Sequence, residues 1–435
     1  MNAVFLHNQN RLLAQLPENS AVLVFSGREQ YRNRDVDYPF RVNSDFYWLS
    51  GFEEPEATLV LVKRDEGTYN RHIFVRPKDR HAEIWTGYRL GVDAAAEVLG
   101  VDGAFSSEER AAKLPELIKG VHQVFVSFSE ADYWWPVLIP VWQGLKRHIR
   151  DGVDAPQGLQ DLDGVLHELR LIKQDWEVAR LRQAAAITVQ GHLAAMAALA
   201  AGAPTERAVQ TALECAFFQA GAERTAFNSI VASGANACVL HYTENRASID
   251  PHGLVLIDAG AEKDYYAGDI TTTLPARGRF TPQQKALYEL VLQAQQAAKA
   301  QIKPGQPYDA HHRAAVQALT EGLVELGLLR GEVSNLIEQK AYERFFMHKT
   351  GHWLGLDVHD VGRYRVDGRW RTLVPGMVLT VEPGLYIAAD DQQVAPQWRG
   401  IGIRIEDDLL VTETGHEVLT EGLPRTVAEI EAAMA

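Results

Sequence analysis

Cysteine is scarce in this chain: Cys215 and Cys238 are the only two in 435 residues. They form no CxxC pair, which excludes a four-thiolate zinc site or a dithiol redox motif, and the reading is two ordinary buried thiols in a reducing compartment. Long apolar runs are missing too. Nothing approaches the ~18 consecutive apolar residues of a membrane span. The first residues, MNAVFLHNQNRLLAQL, lack a basic region followed by a long apolar stretch, so no export signal is expected and the cytoplasm is the expected location. Positive charge is in deficit, with 43 Lys and Arg against 57 Asp and Glu and a net charge of −14. That balance argues against nucleic acid as a partner. Because the acids are spread along the chain, their general role is solubility. Finally, HExxH is absent, which removes the common zinc-protease helix.

What is present suffices for a sizeable enzyme. Hydrophobic residues make up 46% of the chain, and the length suggests two or three domains at roughly 150 residues each. Residues 1–165 read as an α/β domain, with strand-like runs at 21–25, 45–49, 57–62, 72–75 and 124–126 and helices at 94–99 and 107–118. The stretch DGVDAPQG at 151–158 is the best linker. Residues 166–435 read as an α+β domain. Helical periodicity covers 175–200, 205–220, 281–302 and 311–328, and strands are expected at 228–232, 253–258, 267–274, 378–382 and 401–411.

Five residues in that second region can ligate a metal: Asp258 in LVLIDAG, Asp269 in YAGDITTT, His352 in HKTGHWLG, Glu382 in LTVEPGLY and Glu406 in GIGIRIEDD. Each acid ends an apolar run or stands beside glycine, and burying several unpaired carboxylates is costly. Sharing divalent cations neutralises them. An oxygen-rich set with one imidazole suits Mn²⁺, and also Co²⁺ or Zn²⁺; so many acids suggest two ions about 3.5–4 Å apart. If 258 and 269 lie in one hairpin turning near Lys263-Asp264, the two carboxylates fall directly opposite each other, their Cβ atoms roughly 4.5–5.5 Å apart. LVLIDAG and VLTVEPG also echo each other, each an apolar strand ending in an acid and followed by an acid-bearing return strand, as two facing ribbons would supply. His348 and His352 are four apart, but Gly351 and Gly355 disfavour a helix there. His241 in LHYTEN and His359 in DVHD lie near the same motifs, and bare spacing leaves their roles open.

Taken together, DAGAEKDYYAGDITTT, HKTGHWLGLDVHD, TVEPGLY and GIRIEDD resemble the M24 metallopeptidases with the pita-bread fold. YPFRVNSDFYWLSGFEEPEA and AEIWTG narrow the resemblance to the bacterial Xaa-Pro aminopeptidases (aminopeptidase P), and it spans the whole chain. It implies an exopeptidase that releases the first residue of peptides with proline in second position, by attack of a metal-bridging hydroxide on the X-Pro carbonyl. By position, Asp258 would chelate one metal, Asp269 and Glu406 would bridge both, and His352 and Glu382 would bind the other. Glu382 would also move the proton, His359 and His241 would hold the substrate and its oxyanion, and His348 would line the pocket near the leaving proline. Arg404 would orient the site acids. Tyr386, Trp353 and Trp85 are candidates to pack on the pyrrolidine ring, and Arg369 and Arg371 to bind the far end of the peptide. The resemblance further implies a homodimer or homotetramer, with the first domain serving oligomerisation and substrate access.

The alternatives are a prolidase confined to X-Pro dipeptides, a methionine aminopeptidase, and a non-catalytic pita-bread protein that binds peptides. The N-terminal motifs disfavour the first two and the complete ligand set disfavours the third. One residue departs from the family pattern: Lys349 follows His348 where glycine is usual. It adds bulk and charge beside a substrate-binding histidine.

Overall fold

The computed structural model describes residues 3–65 and 67–435. The chain divides into two compact units, with the division between Arg170 and Leu171. It falls inside the helix Asp163–Leu171. It does not fall at 151–158, which is tied into the first unit: Gly120 donates to the Asp154 carbonyl and Gln157 to the His122 carbonyl. The strand Gly158–Asp161 that follows then joins the sheet beside Gln123–Val126. Gly, Pro and Asp here mark a loop within the unit.

The first unit is built on a six-stranded mixed sheet, in the order Gly103–Ser106, Thr68–Val75, Thr58–Asp65, Ser20–Phe25, Gln123–Val126 and Gly158–Asp161. Its central strand, Ser20–Phe25, is buried throughout, as expected where a sheet is covered on both faces. Residues 45–49 are a correction: they belong to the helix Ser44–Ser50, not to a strand. All seven of its residues are buried, polar Ser44, Asp45 and Ser50 among them, so no alternation of buried and exposed positions marks a helical period. The signals that decide it are the ends. The Asn43 side chain accepts from the Phe46 N–H, and Gly51 closes the helix at φ 61°, a conformation that favours glycine. A Cβ at Gly51 would also meet the Phe5 ring at 1.9 Å.

In the second unit the helices Asp175–Ala200, Glu206–Gln219, Pro282–Lys299 and Ala310–Glu325 pack with curved antiparallel ribbons around one large apolar core. Helix Pro282–Lys299 begins with a reciprocal cap, Thr281 to the Gln284 N–H and Gln284 back to Thr281. Both cysteines are free, and only Cys238 is partly covered. Cys215 is exposed, against expectation, because it points away from the buried stripe Val209, Leu213 and Phe217 of its helix.

The two acid-bearing ribbons are present, with one change of register. Leu254–Ala259 pairs with Ile270–Pro275 so that Asp258 faces Thr271, not Asp269. The turn lies at Asp264-Tyr265, both at positive φ (48° and 70°), between the partners Lys263 and Tyr266. Such two-residue turns match the twist of the strands, and this one moves the pairing by two residues. Because side chains alternate with a period of two, Asp269 still shares a face with Thr271 and Asp258. In the second ribbon Val381 faces Asp407 and, further on, Gly384 faces Arg404. The register common to both sheets sets Glu382 against Glu406. The echo between LVLIDAG and VLTVEPG is therefore an echo in three dimensions.

The segment carrying the histidines is not helical. Residues 350–354 run along the strand Val378–Val381: the Thr380 N–H donates to the His352 carbonyl at 2.9 Å and the Glu382 N–H to the Thr350 carbonyl at 2.9 Å. Gly351 is required there, since a Cβ would meet the Thr380 carbonyl oxygen at 2.0 Å.

Candidate metal centre

Ribbon ends and histidine segment together line a cavity of about 750 Å³. Asp258, Asp269, His352, Glu382 and Glu406 all line it, and so do His241, His348, His359 and Arg404. One potential donor atom from each of Asp269, His352 and Glu406 lies within 4.8 Å of the others. His352 Nε2 is 3.4 Å from Asp269 Oδ2 and 3.6 Å from Glu382 Oε1. The His352 ring is fixed by Nδ1, 3.0 Å from the Trp353 carbonyl. A carbonyl oxygen only accepts, so Nδ1 carries a hydrogen and Nε2 is the nitrogen turned toward the acids, the one left to bind a metal.

The acids are under strain that their protein neighbours do not relieve. Asp258 and Asp269 are buried, and Oδ1 of each has no hydrogen-bond partner. Burial, then the charge of Asp258, pushes Asp269 up to about 6. Burial also raises Glu382 to about 7, with the Asp269 and Asp258 charges adding to it against the opposing pull of His352 and Arg404. Glu406 is raised further for the same reasons, burial first and then Asp269. Desolvation works against a charge on His352, but the Asp269 bond and the Glu382 charge outweigh it and hold the imidazole up to about 9. Buried like charges repel unless a cation lies among them. Unsatisfied oxygens, mutually raised carboxylates and a donor set of oxygens with one nitrogen all fit divalent metal ions.

Around these groups runs a network that orients them. Arg404 donates to Asp258 Oδ2 at 2.5 Å, to Thr271 Oγ1 at 3.1 Å and to the Tyr386 hydroxyl at 2.9 Å. Thr271 passes its own hydrogen to Glu406 Oε2 at 2.6 Å. Tyr386 is buried and lies 2.8 Å from His348 Nε2. Because His348 Nδ1 must donate to the Lys349 carbonyl at 2.7 Å, Nε2 accepts from Tyr386. Burial and then the Arg404 charge press His348 down to about 3, so it stays neutral. Tyr386 thus holds His348 and does not line the cavity.

His359 and His241 are exposed within the cavity wall, and the His359 ring sits 4.2 Å from that of His352. Trp353 is fully buried, stacked on Tyr364. Arg369 lies exposed on the short strand Arg369–Trp370, and Arg371 donates to the Arg363 carbonyl. None of these three lines the cavity. Trp85 is 78% exposed in the helix Arg80–Thr86 of the first unit.

Several contributors went unnoticed in the sequence. Asp408 accepts from the Asp269 N–H at 3.0 Å, and Tyr308, Tyr364 and Trp370 form an aromatic wall with His311 and His312. Glu206 is completely buried. Its carboxylate accepts from the Ser233 and Ala247 N–H groups, the Asn236 amide and the Tyr242 hydroxyl, all at 2.8–2.9 Å. It thereby clamps the loop that carries His241. Of these, only Asp408 stands in a motif the sequence offered, GIRIEDD.

The chain matches the sequence model of metallopeptidase family M24 over residues 179–413 and that of the aminopeptidase P N-terminal domain over residues 5–125. It belongs to metallopeptidase family M24, and its catalytic unit has the pita-bread fold. Within the family it is 44% identical over 430 residues to the Xaa-Pro aminopeptidase of Escherichia coli (strain K12), covering 99% of this chain and 97% of that one. The Xaa-Pro aminopeptidase of Haemophilus influenzae is 43% identical, with 99% and 96% covered. Among solved structures, an aminopeptidase from Pseudomonas aeruginosa superimposes with a TM-score of 0.96 at 46% identity, covering 100% of this chain and 98% of that chain.

Proposed function

We propose that the chain is a metal-dependent exopeptidase that releases the N-terminal residue from peptides with proline in second position. The observation that carries this reading is one cavity lined by the five ligand-type residues and by His241, His348 and His359. Full-length likeness to Xaa-Pro aminopeptidases supports the substrate class. So does the likeness to an Escherichia coli aminopeptidase P variant solved in complex with substrate, with a TM-score of 0.95, 43% identity, and 99% and 97% covered.

In this reading Asp258, Asp269, His352, Glu382 and Glu406 hold two divalent ions, Mn²⁺ by preference with Co²⁺ or Zn²⁺ able to substitute. Bound ions supply Lewis-acid polarisation of the scissile carbonyl and lower the pKa of a coordinated water. Glu382 accepts the proton of the attacking water and returns it to the leaving nitrogen of proline. His359 and His241 hold the oxygen on which charge develops. His348, kept neutral and fixed by Tyr386, packs beside the leaving proline. The acids receive the free ammonium of the substrate, which an internal peptide nitrogen lacks, so cleavage is confined to the chain end. We further infer a cytoplasmic homodimer or homotetramer whose first unit serves assembly and substrate access.

Metal-stripped protein resupplied with Mn²⁺, offered an X-Pro-Y tripeptide and an X-Pro dipeptide, tests the reading. Metal-restored release of X, faster from the tripeptide, is expected. A dipeptide preference would indicate a prolidase, and cleavage of neither would leave a peptide-binding protein.

A further inference from the structure

The cavity is unbalanced in charge. Asp258, Asp269, Glu382 and Glu406 line it, and among the described residues Arg404 and Lys349 are its only fixed cations. Arg404 is committed to Asp258, Thr271 and Tyr386. Lys349 is exposed, and among the described residues no acid pairs with its ammonium. The other acid on its side of the cavity, Asp309, is bonded to Arg313 at 2.7 Å. His312 adds no second charge. Burial, then the Lys349 charge, holds it down to about 4, while its Nδ1 lies 2.8 Å from Thr350 Oγ1.

His348, whose Nδ1 is 3.8 Å from Glu382 Oε2, lies next to the acids and on the leaving side. Lys349, the next residue, lines the same wall with an exposed side chain. An extended residue spans roughly 3.3–3.6 Å, so the carboxylate of a third residue falls about 10 Å from the substrate ammonium. Arg369 and Arg371, the arginines expected for that task, line no part of the cavity.

We propose that Lys349 is a specificity-determining residue that pairs with the free C-terminal carboxylate of short peptides, making tripeptides of the form X-Pro-Y a preferred substrate class. The proposal rests on the aminopeptidase reading. A peptide with an ammonium at one end and a carboxylate at the other matches a cavity lined by a cluster of acids and by one lysine that no acid pairs with. The pair is partly solvated, so its effect is modest, about two- to fivefold, and it weakens with added salt.

The test compares Ala-Pro-Ala with its C-terminal carboxamide, on the Mn²⁺-loaded full chain and on Lys349→Met and Lys349→Arg. The wild type should favour the free acid about two- to fivefold in kcat/KM, through KM, with the preference fading as salt is raised. Lys349→Met should bring the ratio near one, and Lys349→Arg should restore it. An equal KM for acid and amide in the wild type, or a preference that survives Lys349→Met, overturns the assignment while leaving the aminopeptidase reading in place. Failure to cleave either peptide overturns both.

Discussion

Each unit of this molecule contains a group of two acids and a histidine close enough to share an ion, Asp45, Asp163 and His167 in the first and Asp269, His352 and Glu406 in the second. The ligand types are alike but the electrostatics are opposite. Asp45 accepts from Arg170 at 2.6 Å and lies 3.1 Å from His167 Nε2. Burial works against its charge, but Arg170 and His167 overcome that and hold it at about 2. Asp269 and Glu382, at about 6 and 7, have no such partner sufficient to hold them ionised. The first group carries its cation in the sequence, as an arginine. The second has only Arg404, which serves a single member, and the His352 imidazole against four acids. Ligand-type residues within reach of one another do not define a metal site, nor does one unpartnered oxygen, since Asp163 Oδ1 also lacks a hydrogen-bond partner; several acids without enough compensating charge do.

The contrast can be broken from either side. Asp269→Ala should abolish metal retention and turnover together, by about 10³-fold or more, since several kcal/mol of charge stabilisation leave with the ions. Arg170→Met should do the reverse. It leaves Asp45 with His167 alone and destabilises the first unit by about 3–5 kcal/mol, with the metal of the second unit retained. Metal analysis and denaturant melts of the two variants, made side by side, separate the cases. A smaller effect sharpens the account within the second unit. His359→Ala should keep its metal and lose roughly 10²-fold in turnover, as for a lost oxyanion donor; full activity would remove His359 from the role given to it.

The same contrast shows what a sequence can and cannot disclose. The five ligand-type residues were legible because an acid at the end of an apolar strand is conspicuous, and because the turn beyond Asp258 fixed which face Asp269 would share. The pairing itself was misplaced by two residues, since the turn settled on Asp264-Tyr265. Residues 45–49 were misread because a fully buried short helix leaves no period. Glu206 and His312 gave no sign at all, and Asp408 only its place in GIRIEDD. Their value lies in partners far away in sequence: Glu206 reaches the 233–247 loop and Asp408 reaches the Asp269 N–H, and no local pattern encodes such a bond. Tyr386 was noticed for its ring, yet the fold uses its hydroxyl to steer His348.

The central claim is that the acids of the second unit need cations. In the metal-free protein Asp269 and Glu382 have folded values of about 6 and 7 against ordinary values of 3.8 and 4.5. A raised carboxyl contributes stability that is fully present below its unfolded value and is lost as pH rises through the folded one. His352, raised to about 9 from 6.5, loses its contribution in the same direction at higher pH. Metal ions compete with those protons and replace them. The measurement to make is the melting temperature with and without Mn²⁺ from pH 5 to pH 8. The account predicts an Mn²⁺-induced rise that grows with pH across this range; a rise that is flat with pH, or no rise at all, would contradict it.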